Sequence, residues 1–193
     1  SIFIAGAGVQ WLRDKLNFFK KASETENIVK SLKDNKGVYL VPAFTGLGAP
    51  YWDANARGVL SGLTRDTGPK EIVRATIESV AYQTYDLFEA MKHDGLRPRL
   101  VKVDGGMVMN NWFSQFLSNV VDIKVLRPKV QETTALGAAF MAGLQIGVYK
   151  SLKDISKNWH LDKDFTPKIS SKERSNLVKG WSTAIKKTLT KTI

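Results

Sequence analysis

The stretch VDGGMVMNN, residues 103–111, runs an alternating apolar segment into two adjacent glycines and then into a helix-like segment. Gly106 and Asn110 stand four positions apart, so a helix beginning there sets them near one another on one face. A tight strand-to-helix turn explains the glycines. The sharper alternative is a flat ligand resting on side-chain-free backbone, with an amide aimed at it.

The same spacing recurs at Gly6 and Gln10, at the head of the first helical segment. Each place sets accessible backbone beside an amide that donates and accepts. Two such surfaces facing each other would sandwich an adenine ring and bond its edge or the ribose. Spacing alone leaves nucleotide contact and plain helix-start geometry both open. For Gln10 the plain reading is a surface amide, and for Asn110 it is an N-cap, a role asparagine fills well.

Outward from these positions, the chain alternates strands and helices. Val9, Leu12, Leu16 and Phe19 predict a helix over residues 7–19, and a short helix follows over 24–33, with Ser23 and Glu26 in capping-box form. GVYLVPAF and VLSGLTR read as strands flanking the aperiodic TGLGAPYWDANARG, residues 45–58, which is either functional or packed as an Ω-loop. Pro69 opens a long helix that reaches about His93. A strand at 100–103, a helix at 110–120 and a strand at 122–128 come next. Residues 132–147 form a helix of alanines and glycines, built to sit very close to a sheet or another helix. A basic amphipathic helix within 166–193, with Leu177, Val178, Trp181, Ile185 and Leu189 on one face, ends the chain. The pattern predicts an α/β layer structure. Its sheet should be mixed, because the strands flanking the long loop can pair as neighbours.

Composition narrows the classes. At 193 residues, 43% hydrophobic, the chain is long enough for a real core and fits one domain. With no cysteine and two histidines, His93 and His160, disulfides and Cys- or His-based metal sites are not expected. No apolar run reaches membrane-span length and no signal peptide is visible; a cytoplasmic location fits. The formal charge of +11 suggests nucleic acid, but the lysines are scattered rather than gathered on one block, as on a solvated surface. Neither a P-loop nor a dinucleotide fingerprint is present, and AGAG at residues 5–8 matches such loops only loosely. The chain opens on Ser1 in mid-pattern, which reads as a fragment.

GVYLVPAFTGLGAPYWDANARGVLSGLTR resembles the central signature of glycerol kinases. GVLSGLTRDTGPKEIVRATIESVAYQ resembles the wider signature of the carbohydrate kinases that phosphorylate glycerol, xylulose, gluconate and similar polyols. VDGGMVMNNWFSQFLSNV, RPKVQETTALGAAFMAG and SIFIAGAGVQWLRDKL continue the match from residue 1 to about 165. The resemblance implies two actin-like, ribonuclease-H-like α/β domains with ATP and polyol in the cleft between them, of which this chain is most of the second. It implies nucleotide contacts at Gly6, Gln10, Gly106 and Asn110, with ATP or ADP and Mg²⁺ as cofactors. It implies glycerol as acceptor, the N-terminal domain of the same kinase as partner, and a homo-oligomer for the whole enzyme.

The family's catalytic aspartate, its phosphate-binding glycine–threonine loops and its glycerol-gripping residues have no counterpart here, nor do the first strands of the domain, so the sheet should be incomplete. No catalytic, substrate-binding or metal-ligating residue is therefore assigned within this chain. Asp104 reads as a turn carboxylate before a water or Mg²⁺ ligand. Phe44, Tyr51, Trp52, Glu78 and Gln83 read as packing or structural groups. A kinase for another polyol, a basic nucleic-acid-binding domain and an actin-like scaffold that uses nucleotide only as a switch are the competing readings.

Overall fold

The computed structural model describes residues 2–190; the part of the terminal segment at 191–193 lies outside them. The organising element is α3 (Pro69–His93), whose residues from Val73 to Tyr82 are buried on every side. A helix covered all round must sit between layers. α1 (Gly6–Asp14) and α2 (Glu24–Lys30) pack on α3, as do β1 (Tyr39–Val41) and, further along the chain, α4 (Asn111–Val121).

There are two sheets among the described residues, one packed on α3 through β1 and the other on α4 through its second and third strands. β1 pairs antiparallel with β2 (Val59–Ser61), Leu40 opposite Leu60. The strands around the long loop therefore do pair, but in a sheet of their own. The mixed sheet is the other one, in the order β3-β4-β5. β3 (Leu100–Lys102) runs parallel to β4 (Lys124–Pro128), and α4 joins them, as a parallel pair requires. β5 (Leu161–Phe165) adds antiparallel to β4, with a register shift between Arg127 and Pro128. The sequence pattern did not predict β5. Its first four residues are exposed and carry Asp162, Lys163 and Asp164, the composition of a charged edge strand. Asp162 pairs with Arg127 at 2.7 Å and Asp164 with Lys124 at 2.6 Å.

The long loop is packed. Leu47, Asp53 and Ala56 are buried, and the Asp53 carboxylate accepts from the Asn55 and Ala56 amides and from Thr190 N–H at 2.7 Å. Gly46, at φ +90°, sits where a Cβ would lie 2.9 Å from the Ala54 backbone. Trp52 departs from the expected anchor role, being 72% exposed. Tyr51 fulfils it: its hydroxyl is directed at Asp86 of α3, whose Oδ2 also accepts Trp181 Nε1–H at 2.7 Å.

Three further differences have local causes. α1 stops at Asp14 because Asn17 turns left-handed at φ 55° and carries Phe19 into the core from outside the helix. Ser23 makes no cap bond, since its own backbone is already helical. α5 (Thr133–Gln145), the helix of small residues, stays largely open: Ala135, Ala138, Ala139, Met141 and Ala142 are exposed, and only Gly143 is buried. The predicted close approach is not made among the described residues. α6 (Leu152–Ser156) is short and exposed, and α7 (Ser171–Thr188) packs Trp181, Ala184 and Ile185 inward. No described helix is long and apolar enough to cross a membrane.

Inside α3, Glu78 is 1% exposed. Its carboxylate accepts from Arg74 Nε at 2.7 Å and Asn35 Nδ2 at 2.8 Å, with Tyr82 Oη at 3.4 Å. Burial pushes the Glu78 carboxyl up against the opposing pull of Arg74. Removing one partner of such a pair strands the other charge. Glu78→Ala is expected to destabilise the fold by roughly 3–5 kcal/mol in urea unfolding, through the unpaired Arg74.

Burial also pushes Asp86 up to about 6, against the hydrogen bonds from Trp181 and Tyr51. An unfolded aspartate titrates near ~3.9, so between these values the native state binds the extra proton. Stability from this group is greatest below the lower value and falls as pH rises through the upper one, by on the order of 3 kcal/mol. Asp86→Asn keeps an acceptor for the indole and cannot ionise. Its unfolding free energy, compared with the parent's from pH 4 to 7, is expected to lack that fall.

Candidate nucleotide-binding site

A cavity of about 470 Å³ opens between α1, α2 and the 3₁₀ turn Gly106–Met109 that precedes α4. α1 lines it with Gly6, Val9, Gln10 and Arg13, spaced so that one helix face serves as a wall. Ile77 of α3 is the floor, and Gly106, Met107, Met109 and Asn110 form the facing wall. All four residues singled out by sequence, Gly6, Gln10, Gly106 and Asn110, thus meet around one space although 100 positions separate Gly6 from Gly106.

The two glycines are open where a side chain would be. A Cβ added at Gly6 or Gly106 meets nothing within 4 Å. Neither has a positive φ, so the backbone does not require glycine at either place. In a helix glycine costs about 0.5–1 kcal/mol relative to alanine. Nothing in the chain's own packing recovers that cost. Gly105 differs: its φ of +84° does call for glycine, and it makes the turn.

The two amides differ in state. Gln10 is exposed, and among the described residues no hydrogen bond engages its side chain. Asn110 is an N-cap, as the plain reading held: its Oδ1 accepts from Phe113 N at 3.0 Å. It also lines the cavity, so cap and wall coincide.

The facing wall is held from behind. The Val108 carbonyl accepts from Ser114 Oγ at 3.0 Å and from Arg127 Nη1 at 2.8 Å. Arg127 is 6% exposed and is fixed in turn by Asp162. Sequence spacing missed this support, and it missed that Ala22, Ser23 and, from α2, Thr25 and Glu26 line the cavity. Burial opposes ionisation of Glu26, but Lys30 and the Asn111 N–H groups outweigh it and hold the carboxyl below its usual range. Arg13 is held in plane by Asp14, at 2.6 and 3.0 Å.

Acidic groups are sparse here. Asp104, next to the glycine pair, is exposed and accepts from Thr133 Oγ1. Among the described residues no group of three or more His, Cys, Asp or Glu is gathered to hold a metal. The arrangement can bind a flat, largely apolar ligand between two stretches of bare backbone. Among the described residues it contains no base–nucleophile pair.

Known proteins share this framework. The chain is 54% identical over 187 residues to glycerol kinase 1 of Pseudomonas aeruginosa, covering 97% of this chain and 38% of that protein. It is 53% identical over 188 residues to a glycerol kinase of Symbiobacterium thermophilum, again over 38% of the relative. The chain thus spans well under half the length of the curated relatives it matches. Its fold superposes on a Plasmodium falciparum glycerol kinase solved with ADP, with TM-score 0.87 and 35% identity, over 100% of this chain and 38% of that one. A ligand-bound xylulose kinase from Lactobacillus acidophilus superposes with TM-score 0.76 and 25% identity, over 94% of this chain and 37% of that one. Residues 1–146 match the C-terminal domain of the FGGY family of carbohydrate kinases, and the chain, with its mixed sheet and flanking helices, belongs to that family.

Proposed function

We propose that this chain is the nucleotide-side part of an ATP-dependent glycerol kinase. The whole enzyme would transfer the γ-phosphoryl of ATP to glycerol and release glycerol 3-phosphate. The observation that carries this reading is the pair Gly6 and Gly106, open toward one cavity with no internal reason to be glycine. The likeness to glycerol kinases supplies the acceptor.

In this reading the adenosine lies flat between Gly6 and Gly106, with Gln10 and Asn110 bonding its edge or its ribose. Mg²⁺ would arrive with the phosphates, a cation content with one or two carboxylates and phosphate oxygens, and Asp104 is the carboxylate beside the glycine pair. An N-terminal domain would supply the aspartate that takes the hydroxyl proton and the loops that hold the phosphates. Closing the two domains expels water, which limits hydrolysis and strengthens the field on the transferring group. The open face of α5 supports the presence of such a covering part. A homo-oligomer in the cytoplasm belongs to the same proposal.

Two outcomes check it. Gly6→Ala and Gly106→Ala are expected to leave the unliganded fold unchanged or up to about 1 kcal/mol more stable, because alanine suits a helix better. The same changes should weaken ADP binding at least about tenfold, roughly 1.4 kcal/mol, as read by calorimetry. For the acceptor, the 193-residue chain alone should phosphorylate nothing, whereas a protein of the relatives' full length carrying it should prefer glycerol in a polyol panel with ATP. Glycerol phosphorylation by the isolated chain would refute the division of labour, and preference for another polyol would refute the substrate.

A further inference from the structure

α2 touches the cavity through Thr25 and Glu26, and its bonds bear on what Asn110 offers a ligand. The Thr25 hydroxyl donates its one hydrogen to the Ala22 carbonyl at 2.6 Å. Toward Asn110 it can therefore only accept, and it does so from Nδ2 at 3.4 Å. On the other side, the Phe113 N–H can only donate, and it meets Asn110 Oδ1 at 3.0 Å. The two neighbours agree, and together they fix which way the amide faces. Its oxygen turns to the helix and its nitrogen to α2, leaving one N–H over. Thr25 is 4% exposed, so water does not compete for its lone pair.

The next residue is tied to the same helix. Glu26 Oε2 accepts Asn111 N–H at 3.2 Å and Oε1 accepts Asn111 Nδ2 at 3.4 Å, while Lys30 holds Oε1 at 2.5 Å. A carboxylate from α2 thus occupies the N-terminus of α4, where it suits the helix dipole. The start of α4 and the first turn of α2 are held together at the rim of the cavity.

We infer that Thr25 is a positioning residue for nucleotide binding: it orients Asn110 so that the remaining N–H of that amide faces the cavity and donates to an acceptor on the nucleoside. This rests on the nucleotide reading of the cavity. It narrows that reading, because Asn110 then recognises a ring nitrogen or ribose oxygen and not an exocyclic amine.

The test is ADP binding to the 193-residue chain by calorimetry. Thr25→Val removes the acceptor and is expected to weaken ADP binding about three- to tenfold, the worth of one hydrogen bond. Thr25→Ser should restore binding to within about twofold, since it keeps the hydroxyl. Asn110→Ser keeps an N-cap but carries no amide, and in that background Thr25→Val should have no further effect. Thr25→Ala serves in place of Thr25→Val if the valine does not fold. Parent binding with an unweakened Thr25→Val, or equal weakening in the Asn110→Ser background, overturns the positioning role alone. No ADP binding by the parent chain overturns the nucleotide reading, and this inference with it.

Discussion

A charged carboxylate with no water around it constrains this fold more than any other group. Glu78 sits mid-way along α3, where every face of the helix is covered, and its oxygens must find donors inside the protein. They find Arg74 one turn earlier and Asn35 from the turn before β1. Arg74 reaches on to the Leu32 carbonyl at 2.8 Å and lies 4.9 Å over the Trp112 ring. One buried charge thereby ties the end of α2, the approach to β1 and the first turn of α4 to the same helix. Ile77, the adjacent residue, is the cavity floor, so the register that satisfies Glu78 also sets the depth of the site.

Around that floor the site is made by omission. Two walls lack side chains at Gly6 and Gly106, and the neighbouring apolar groups are Val9, Ile77 and the flexible Met107 and Met109. The polar side chains lining it are few: Gln10, Arg13, Ser23, Thr25, Glu26 and Asn110. The division suits a domain that holds the unreactive end of a nucleotide while the chemistry proceeds elsewhere.

The sequence made much of this legible, for physical reasons that also mark where it stopped. α3 could be read because Pro69 fixes its start and a mostly apolar stripe follows, and β1 and β2 because apolar runs flank a loop rich in glycine and proline. Gly6, Gln10, Gly106 and Asn110 stood out through a repeated spacing, and the family resemblance joined them into one site. β5 could not be read, because an edge strand with charges on both sides has no apolar alternation. Thr25 and Arg127 escaped notice because their partners lie 85 and 19 positions away, Asn110 and the Val108 carbonyl respectively, and no local pattern encodes such bonds. α5 was read correctly as a helix of small residues and wrongly as covered, since composition tells what a surface can touch and not whether its counterpart is there.

That bare surface has a thermodynamic consequence. Alanine and glycine have no rotamers to freeze, so covering them forfeits almost no side-chain entropy, whereas a face of leucine or lysine would lose up to about 1–2 kcal/mol per residue. A partner covering Ala135, Ala138, Ala139 and Ala142 would therefore make a contact that can be made and unmade with little penalty in either direction. Under the proposed kinase reading, such a surface would suit two bodies that swing apart and together once in every turnover.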